Sequence, residues 1–237
     1  MGSITQDNQS LIEFWDQAIA ISDEEKEAVS ELGADDWKEM APSEKLCEAA
    51  VSLGKRKKVL DYGCGNAWAG IIASKSGCGD VTAVDVSNGP VESARFYADK
   101  FGAGNGFKAS CVGTDWLGSV NDKTYDGIIC SNVLDVIPTE TAKEIIRDFA
   151  RIATDDASVI IGMNFYLTPE ECAAKGMELV DGNKLYMNGV LRLVFHSDDE
   201  WTQIFSSEFD VERLDHFAWT GEEKEKRRLF FLRKKVK

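Results

Sequence analysis

The stretch "KVLDYGCGNAWAG", residues 58–70, sets two glycines two positions apart, directly behind an apolar run and directly before a helix-like segment. A strand that must turn into a helix within a few residues needs left-handed backbone, which glycine adopts without steric cost. Gly63 and Gly65 provide it and leave bare backbone N–H groups where a ligand can approach. The helix predicted to begin near Asn66 aims its positive dipole end at the same place. Strand, glycine turn and helix in this order open a parallel sheet whose binding site lies at the carboxyl edge of its strands.

The rest of the chain repeats that unit. Strands are predicted at "KKVLDY", "DVTAVDV", "FKASCVG", "YDGIICS" and "SVIIGMNF". Helices fall between most of them: after Asn66, over "GPVESARFYADKFG" with Pro90 in its first turn and Gly102 as its stop, and over "ETAKEIIRDFARIA". Such alternation requires crossover connections and a sheet covered on both faces. Before Lys57 the spacing is helical throughout, with Ser22 and Glu25 reading as a capping box and "PSEKLCEAAVSLG" as a helix from Ser43 to Gly54. After the fifth strand, Asp181-Gly182 and Asn188-Gly189 mark two hairpin turns of a small antiparallel meander. "HSDDEWTQIF" follows as a helix with a Ser197/Glu200 capping box, and two strands, "FDVERLDHFAW" and "RRLFFLRKK", close the pattern. One α/β domain over 1–237 is expected: a helical cap (1–56), a cofactor-binding core (57–166), the meander insertion (167–196), and a helix with the last two strands (197–237).

Composition narrows the partners. A net charge of −14 opposes binding that depends on neutralising phosphates, so nucleic acid is disfavoured. The basic "KEKRRLFFLRKKVK" reads as a strand with a solvated face rather than a nucleic-acid patch. Six scattered cysteines without a C-x-x-C pair and only two histidines predict no metal site and no disulfide framework. The opening "MGSITQDNQS" has no charged-then-apolar leader, and Gln6 stands where a myristoylation site needs Ser or Thr. No long uncharged run suggests a membrane span, so a cytoplasmic protein, monomer or homodimer, is expected.

The glycine turn does not suit a dinucleotide. The third glycine of G-x-G-x-x-G would fall at position 68, where this chain has Trp68, and no G-K-S/T follows for a P-loop. Asp61, Gly63, Gly65 and Ala67 instead resemble motif I of the class I S-adenosylmethionine-dependent methyltransferases, an acidic residue followed by G-x-G-x-G, with alanine in the last glycine position. Asp85, twenty residues beyond Gly65 at the end of the second strand, sits where a carboxylate accepts ribose hydroxyls, with Val86 next to it. The resemblance implies that Asp115 takes the adenine amine and that Trp116 covers the ring. It further implies that Ser131, Asn132 and Leu134 border the cofactor after the fourth strand. The fold implied is a Rossmann-like, mostly parallel seven-stranded sheet with an antiparallel last strand.

The implied reaction is direct displacement of the methyl group of S-adenosyl-L-methionine, leaving S-adenosyl-L-homocysteine, with no metal. Orientation carries most of such catalysis, and a base is needed only if the acceptor stays protonated. His196, Asp135 and Tyr166 are the candidate catalytic groups, and Asn164 ends the fifth strand beside Tyr166. Trp15 and Trp37 on the leading helices, together with Tyr186 and Arg192 in the meander, are candidate substrate contacts alongside Tyr166 and His196. "SNVL" lacks the N/D-P-P-Y pattern of amino-methyltransferases acting on adenine and glutamine, so a small-molecule acceptor leads. A protein or transfer RNA acceptor is the alternative, and a protein that binds S-adenosylmethionine without methylating is a third.

Overall fold

The computed structural model describes the backbone of residues 2–235 and the side chains of residues 9–235. Met1, where the myristoylation reading begins, and the last two residues of the basic tail lie outside the described residues. Three helices precede the sheet: α1 (Gly2–Ala18), α2 (Asp23–Ser30) and α3 (Glu44–Leu53). Helix α1 falls in the region before Lys57 whose spacing is helical. Ser22 caps α2 by accepting from Glu25 N at 3.1 Å, but the predicted capping box is only half made. The Glu25 carboxylate accepts from the Tyr97 hydroxyl at 2.6 Å, which ties α2 to the core. Helix α3 keeps its predicted ends, with Ser43 accepting from Leu46 N and Gly54 closing it.

Strands β1 (Val59–Tyr62), β2 (Val81–Asp85), β3 (Phe107–Cys111), β4 (Tyr125–Ser131) and β5 (Ala153–Met163) pair in parallel in the order 3-2-1-4-5. Between them run α4 (Trp68–Lys75), α5 (Asn88–Phe101) and α6 (Thr139–Ile152). All four β1 residues are buried, as a central strand covered on both faces requires. The insertion after β5 contains more than a meander. Helix α7 (Pro169–Ala174) comes first, with Thr168 and Glu171 making a full capping box, followed by β6 (Leu179–Val180), β7 (Lys184–Met187) and β8 (Val190–Val194) as a separate antiparallel sheet. Asp181, Gly182, Asn188 and Gly189 all have positive φ; Asn188 and Gly189 form the two-residue turn between Met187 and Val190, whereas residues 181–183 join Val180 to Lys184 as a three-residue loop.

Helix α8 (Asp198–Phe205) carries the predicted Ser197/Glu200 box and leads into β9 (Phe209–Phe217) and β10 (Arg227–Lys234). Strand β10 lies between β5 and β9 and is antiparallel to both, completing the seven-stranded sheet. The solvated strand predicted for the basic tail needs one correction, because Arg227 and Arg228 are buried. Arg228 donates to the backbone oxygens of Asn164 and His196 and lies 3.8 Å from the buried Asp135 carboxylate. A charge taken out of water at this depth persists only with such partners.

Candidate functional site

The glycine turn is built from the left-handed backbone its sequence predicts. Gly63 and Gly65 have φ of +64° and +54°, and Ala67 has φ of 57°. Left-handed geometry at Ala67 explains why the pattern favours glycine there: an L side chain pays roughly 1–2 kcal/mol for it. Helix α4 has no side-chain cap at Ala67. Its first free N–H groups are taken instead by Asn66 Oδ1, which accepts from Trp68 N at 3.3 Å, and by Asp61 Oδ2, which accepts from Gly70 N at 2.8 Å. Across the turn, Asp85 accepts from Gly65 N at 3.1 Å and from Ser87 N at 3.0 Å. Both carboxylates therefore brace the loop from strand ends and still have lone pairs free.

These residues line a cavity of about 800 Å³ at the carboxyl edge of the sheet. Small-molecule sites span roughly 300–1,000 Å³, and this cavity falls within that range. Helix α1 roofs it. Asp16 Oδ1 accepts from Gly89 N at 2.9 Å at the start of α5, and Ile19 O accepts from the Ser93 hydroxyl at 2.7 Å. From the meander, the Arg192 guanidinium stacks on Phe14 at 3.9 Å and reaches Trp15 at 5.5 Å. The opposite rim is the β9–β10 connection. There Trp219 lies under the Arg227 guanidinium at 3.3 Å, and Thr220 N donates to Pro42 O.

The cavity gathers Asp61, Gly63, Gly65, Asn66, Asp85 and Val86 on one side. Asp115, Ser131, Asn132 and Trp15 reach it from β3, β4 and α1. Other expected residues do not line it. Trp116 packs on the core beside Leu117, and Trp37 fills the space between α3 and α2. Asp135 is fully buried, accepting from Asn164 N and Nδ2 and facing Arg228. His196 Nε2 lies 2.9 Å from Thr139 Oγ1 while its ring abuts Trp201, and burial holds its pKa below the usual histidine range. Tyr166 packs edge-on to Phe195 beside Arg228, Tyr186 stays within the meander, and Arg192 acts from behind Trp15. What sequence reading missed is the far wall: Trp68, Trp219, Pro42, Glu144 and Asp148. A helix-start tryptophan directly behind the glycine turn was the one legible signal among them.

Burial dominates the electrostatics. It pushes the Asp61 carboxyl up to about 7, against the lowering effect of the Gly70 N–H, and Asp85 adds repulsion. Burial likewise raises Asp85, opposed by its backbone donors. A carboxyl whose folded pKa exceeds its unfolded value stabilises the fold fully below about pH 4, and that contribution is lost as pH rises to about 7. The loss for Asp61 is on the order of 4 kcal/mol. Asp61→Asn is therefore expected to melt about 5 °C or more above the parent at pH 8, with the gap more than halved at pH 5. Melting curves at the two pH values check this, and a gap that is constant or reversed would assign the effect elsewhere.

Residues 59–156 match the sequence profile of the family described as "Methyltransferase domain". Over that span the chain is similar to this family. Among curated relatives, the ribosomal protein L11 methyltransferase of Cupriavidus metallidurans is 35% identical over 97 residues, and that of Ralstonia nicotianae 32% over 97, each match covering 39% of this chain. The chain spans only 29% of those relatives' length. Two solved structures share the fold. One is the 1,6-didemethyltoxoflavin-N1-methyltransferase of Burkholderia thailandensis, with TM-score 0.63 and 17% identity, covering 85% of this chain and 82% of that one. The other is the magnesium protoporphyrin IX methyltransferase of Synechocystis PCC 6803, with TM-score 0.58 and 22% identity, covering 81% and 77%.

Proposed function

We propose that the protein transfers a methyl group from S-adenosylmethionine to a small-molecule acceptor. One observation carries the cofactor reading. Among the described residues, the cavity around the glycine turn is lined by Asp61, Asp85, Asp115, Glu144 and Asp148 and by no Lys, Arg or His. A dinucleotide pyrophosphate placed there would meet like charge with no cation to offset it, whereas a sulfonium with an ammonium group is complementary. Gly65 leaves the space for such a ligand, since a Cβ there would meet nothing closer than Ile19 at 3.8 Å. The solved Synechocystis and Burkholderia structures were obtained with S-adenosylmethionine or S-adenosylhomocysteine bound.

In this reading Asp85 receives the ribose hydroxyls, Asp115 the adenine amine, and Asp61 with the Gly63–Gly65 backbone the methionine end. The bound sulfonium supplies an activated methyl group. The chain's own task is to hold the acceptor in line with that methyl and to keep water out, which the α1 roof and the β9–β10 rim favour. No metal is required. A roofed cavity supports a small acceptor, while the ribosomal protein L11 methyltransferase relatives favour, as a second reading, a protein side chain threaded through its mouth.

Calorimetric titration with S-adenosylmethionine, S-adenosylhomocysteine and NAD tests the proposal. Micromolar binding of the two sulfur nucleosides and none of NAD is expected. Binding of NAD, or of none of the three, would overturn it.

A further inference from the structure

Sheet order divides the cavity. In the reading above the cofactor runs from the turn after β1 towards Asp85 after β2 and Asp115 after β3. The order 3-2-1-4-5-10-9 puts the ends of β4, β5 and β9 on the other side of that turn, which leaves their part of the cavity for the methyl acceptor. Strand β5 lies two strands from β1, about 10 Å at the spacing of paired strands. The polar lining contributed from these ends is Ser131, Asn132, Asn164 and Trp219, and among the described residues it includes no charged side chain.

Asn164 is held at both ends by groups that methyl transfer does not otherwise use. Its Oδ1 accepts from Arg227 Nη1 at 2.9 Å, and its Nδ2 donates to Asp135 Oδ1 at 3.3 Å. A guanidinium only donates, so Arg227 decides which end of the amide is oxygen. Asp135 also accepts from Asn164 N at 2.8 Å and lies 3.8 Å from Arg228, and Asp135, Arg227 and Arg228 are all buried. Arg227 extends the set: Nε and Nη2 donate to Glu222, whose Oε2 accepts in turn from Trp219 N at 2.9 Å. The Arg227 guanidinium lies 3.3 Å from the centre of the Trp219 ring. One connected set of bonds thus fixes two residues that line the cavity, Asn164 and Trp219. Three charges taken out of water are costly, and what they deliver here is an amide and an indole held in place before any ligand arrives.

An asparagine amide has two N–H donors. Asp135 takes one, and among the described residues the other has no acceptor. Arg227 and Arg228 each face a carboxylate, so their charge is offset close by. Resting on the cofactor reading above, we infer that Asn164 selects the acceptor: its free N–H donates to an oxygen or ring nitrogen of a flat, uncharged molecule whose ring lies against Trp219. Arg227 is the positioning residue that holds both. A charged acceptor would give up its water with no opposite charge at these strand ends to replace it.

The test uses the full chain saturated with S-adenosylhomocysteine, whose own affinity is measured first. No binding there would sink the cofactor reading, and this inference with it; normal binding leaves the acceptor inference alone at stake. Oxindole and coumarin present a carbonyl on a flat bicycle, indole a flat bicycle without one, and the fully saturated analogue of oxindole a carbonyl without flatness. Benzamidine and benzoate add a charge of either sign. By calorimetry, oxindole and coumarin are expected to bind about fivefold tighter than indole and the saturated analogue, and tighter than both charged ligands. Asn164→Ala should remove the advantage of oxindole over indole and leave the affinities for indole and S-adenosylhomocysteine unchanged. Arg227→Lys keeps the charge but not the planar fork that joins Glu222 to Asn164, and should shrink the same advantage. In the nitrogen–proton correlation spectrum of the parent, the Asn164 side-chain amide should shift with oxindole and stay in place with indole, a readout that no variant has to fold to give. No binding of the carbonyl ligands, equal binding of indole, of the saturated analogue or of a charged ligand, an Asn164 amide unmoved by oxindole, or a folded Asn164→Ala protein that keeps the preference would overturn the inference.

Discussion

Asp85→Ala should lower the affinity for S-adenosylmethionine on the order of 1,000-fold. The proposed ribose contact consists of two hydroxyls donating to one ionised group, and hydrogen bonds to charged groups contribute roughly 1.5–3 kcal/mol each. The same carboxylate accepts from Gly65 N and Ser87 N, so alanine also frees the loop that shapes the site. Asp85→Asn separates the two effects. Its amide oxygen can keep one backbone bond and the loop, and an intermediate loss of about 10–30-fold is expected. Calorimetry gives the affinities, and melting of the ligand-free variants shows whether they are folded. Binding by the folded alanine variant within threefold of the parent would remove Asp85 from the cofactor site.

Gly63→Ala is the second large effect. The added methyl would lie 2.3 Å from Val133 Cγ2 and would sit on a residue at φ +64°. Overpacking of this kind costs typically 1–3 kcal/mol, and the left-handed backbone adds roughly 1–2 kcal/mol. At a few degrees per kcal/mol for a chain of this length, melting should fall by about 10 °C. Val133 itself lines the cavity, so the strain reaches the segment after β4 and cofactor affinity should fall with it. Val133→Ala in the same chain tests the cause. It removes the clashing methyl but leaves the backbone cost, and should restore about half of the lost stability. No recovery would locate the damage in the backbone alone.

The sheet was legible in the sequence because its signals are local. Alternating apolar runs, Gly54 and Gly102 at helix ends, Ser43 and Ser197 at helix starts, and two Gly-containing hairpin turns each act within a few residues. Helix α7 was equally legible in principle, since Thr168, Pro169 and Glu171 spell a capping box, but a window reading for a meander absorbed it. The end of the cavity around the glycine turn followed the same logic, with each acidic residue placed by the strand before it. The rim formed by the β9–β10 connection did not. Trp219 reaches the cavity through Arg227 and the Thr220 bond to Pro42, 178 residues away in sequence, and no local pattern encodes that contact. Asp135 shows the converse. A carboxylate after the fourth strand reads as catalytic until Arg228, ninety-three residues later, is found to be its buried partner.

The position of β10 bears on how the chain is made. Synthesis delivers β5 and then β9 before the strand that belongs between them exists. Until residues 227–234 leave the ribosome, the hydrogen-bonding edge of β5 stays open, and the buried faces of Phe230 and Leu232 are missing from the core. An open strand edge is a template for pairing with another chain. The parallel half of the sheet can form as it emerges, but chains released within the β9–β10 turn should be captured by chaperones or aggregate, whereas released chains that include β10 should already be closed.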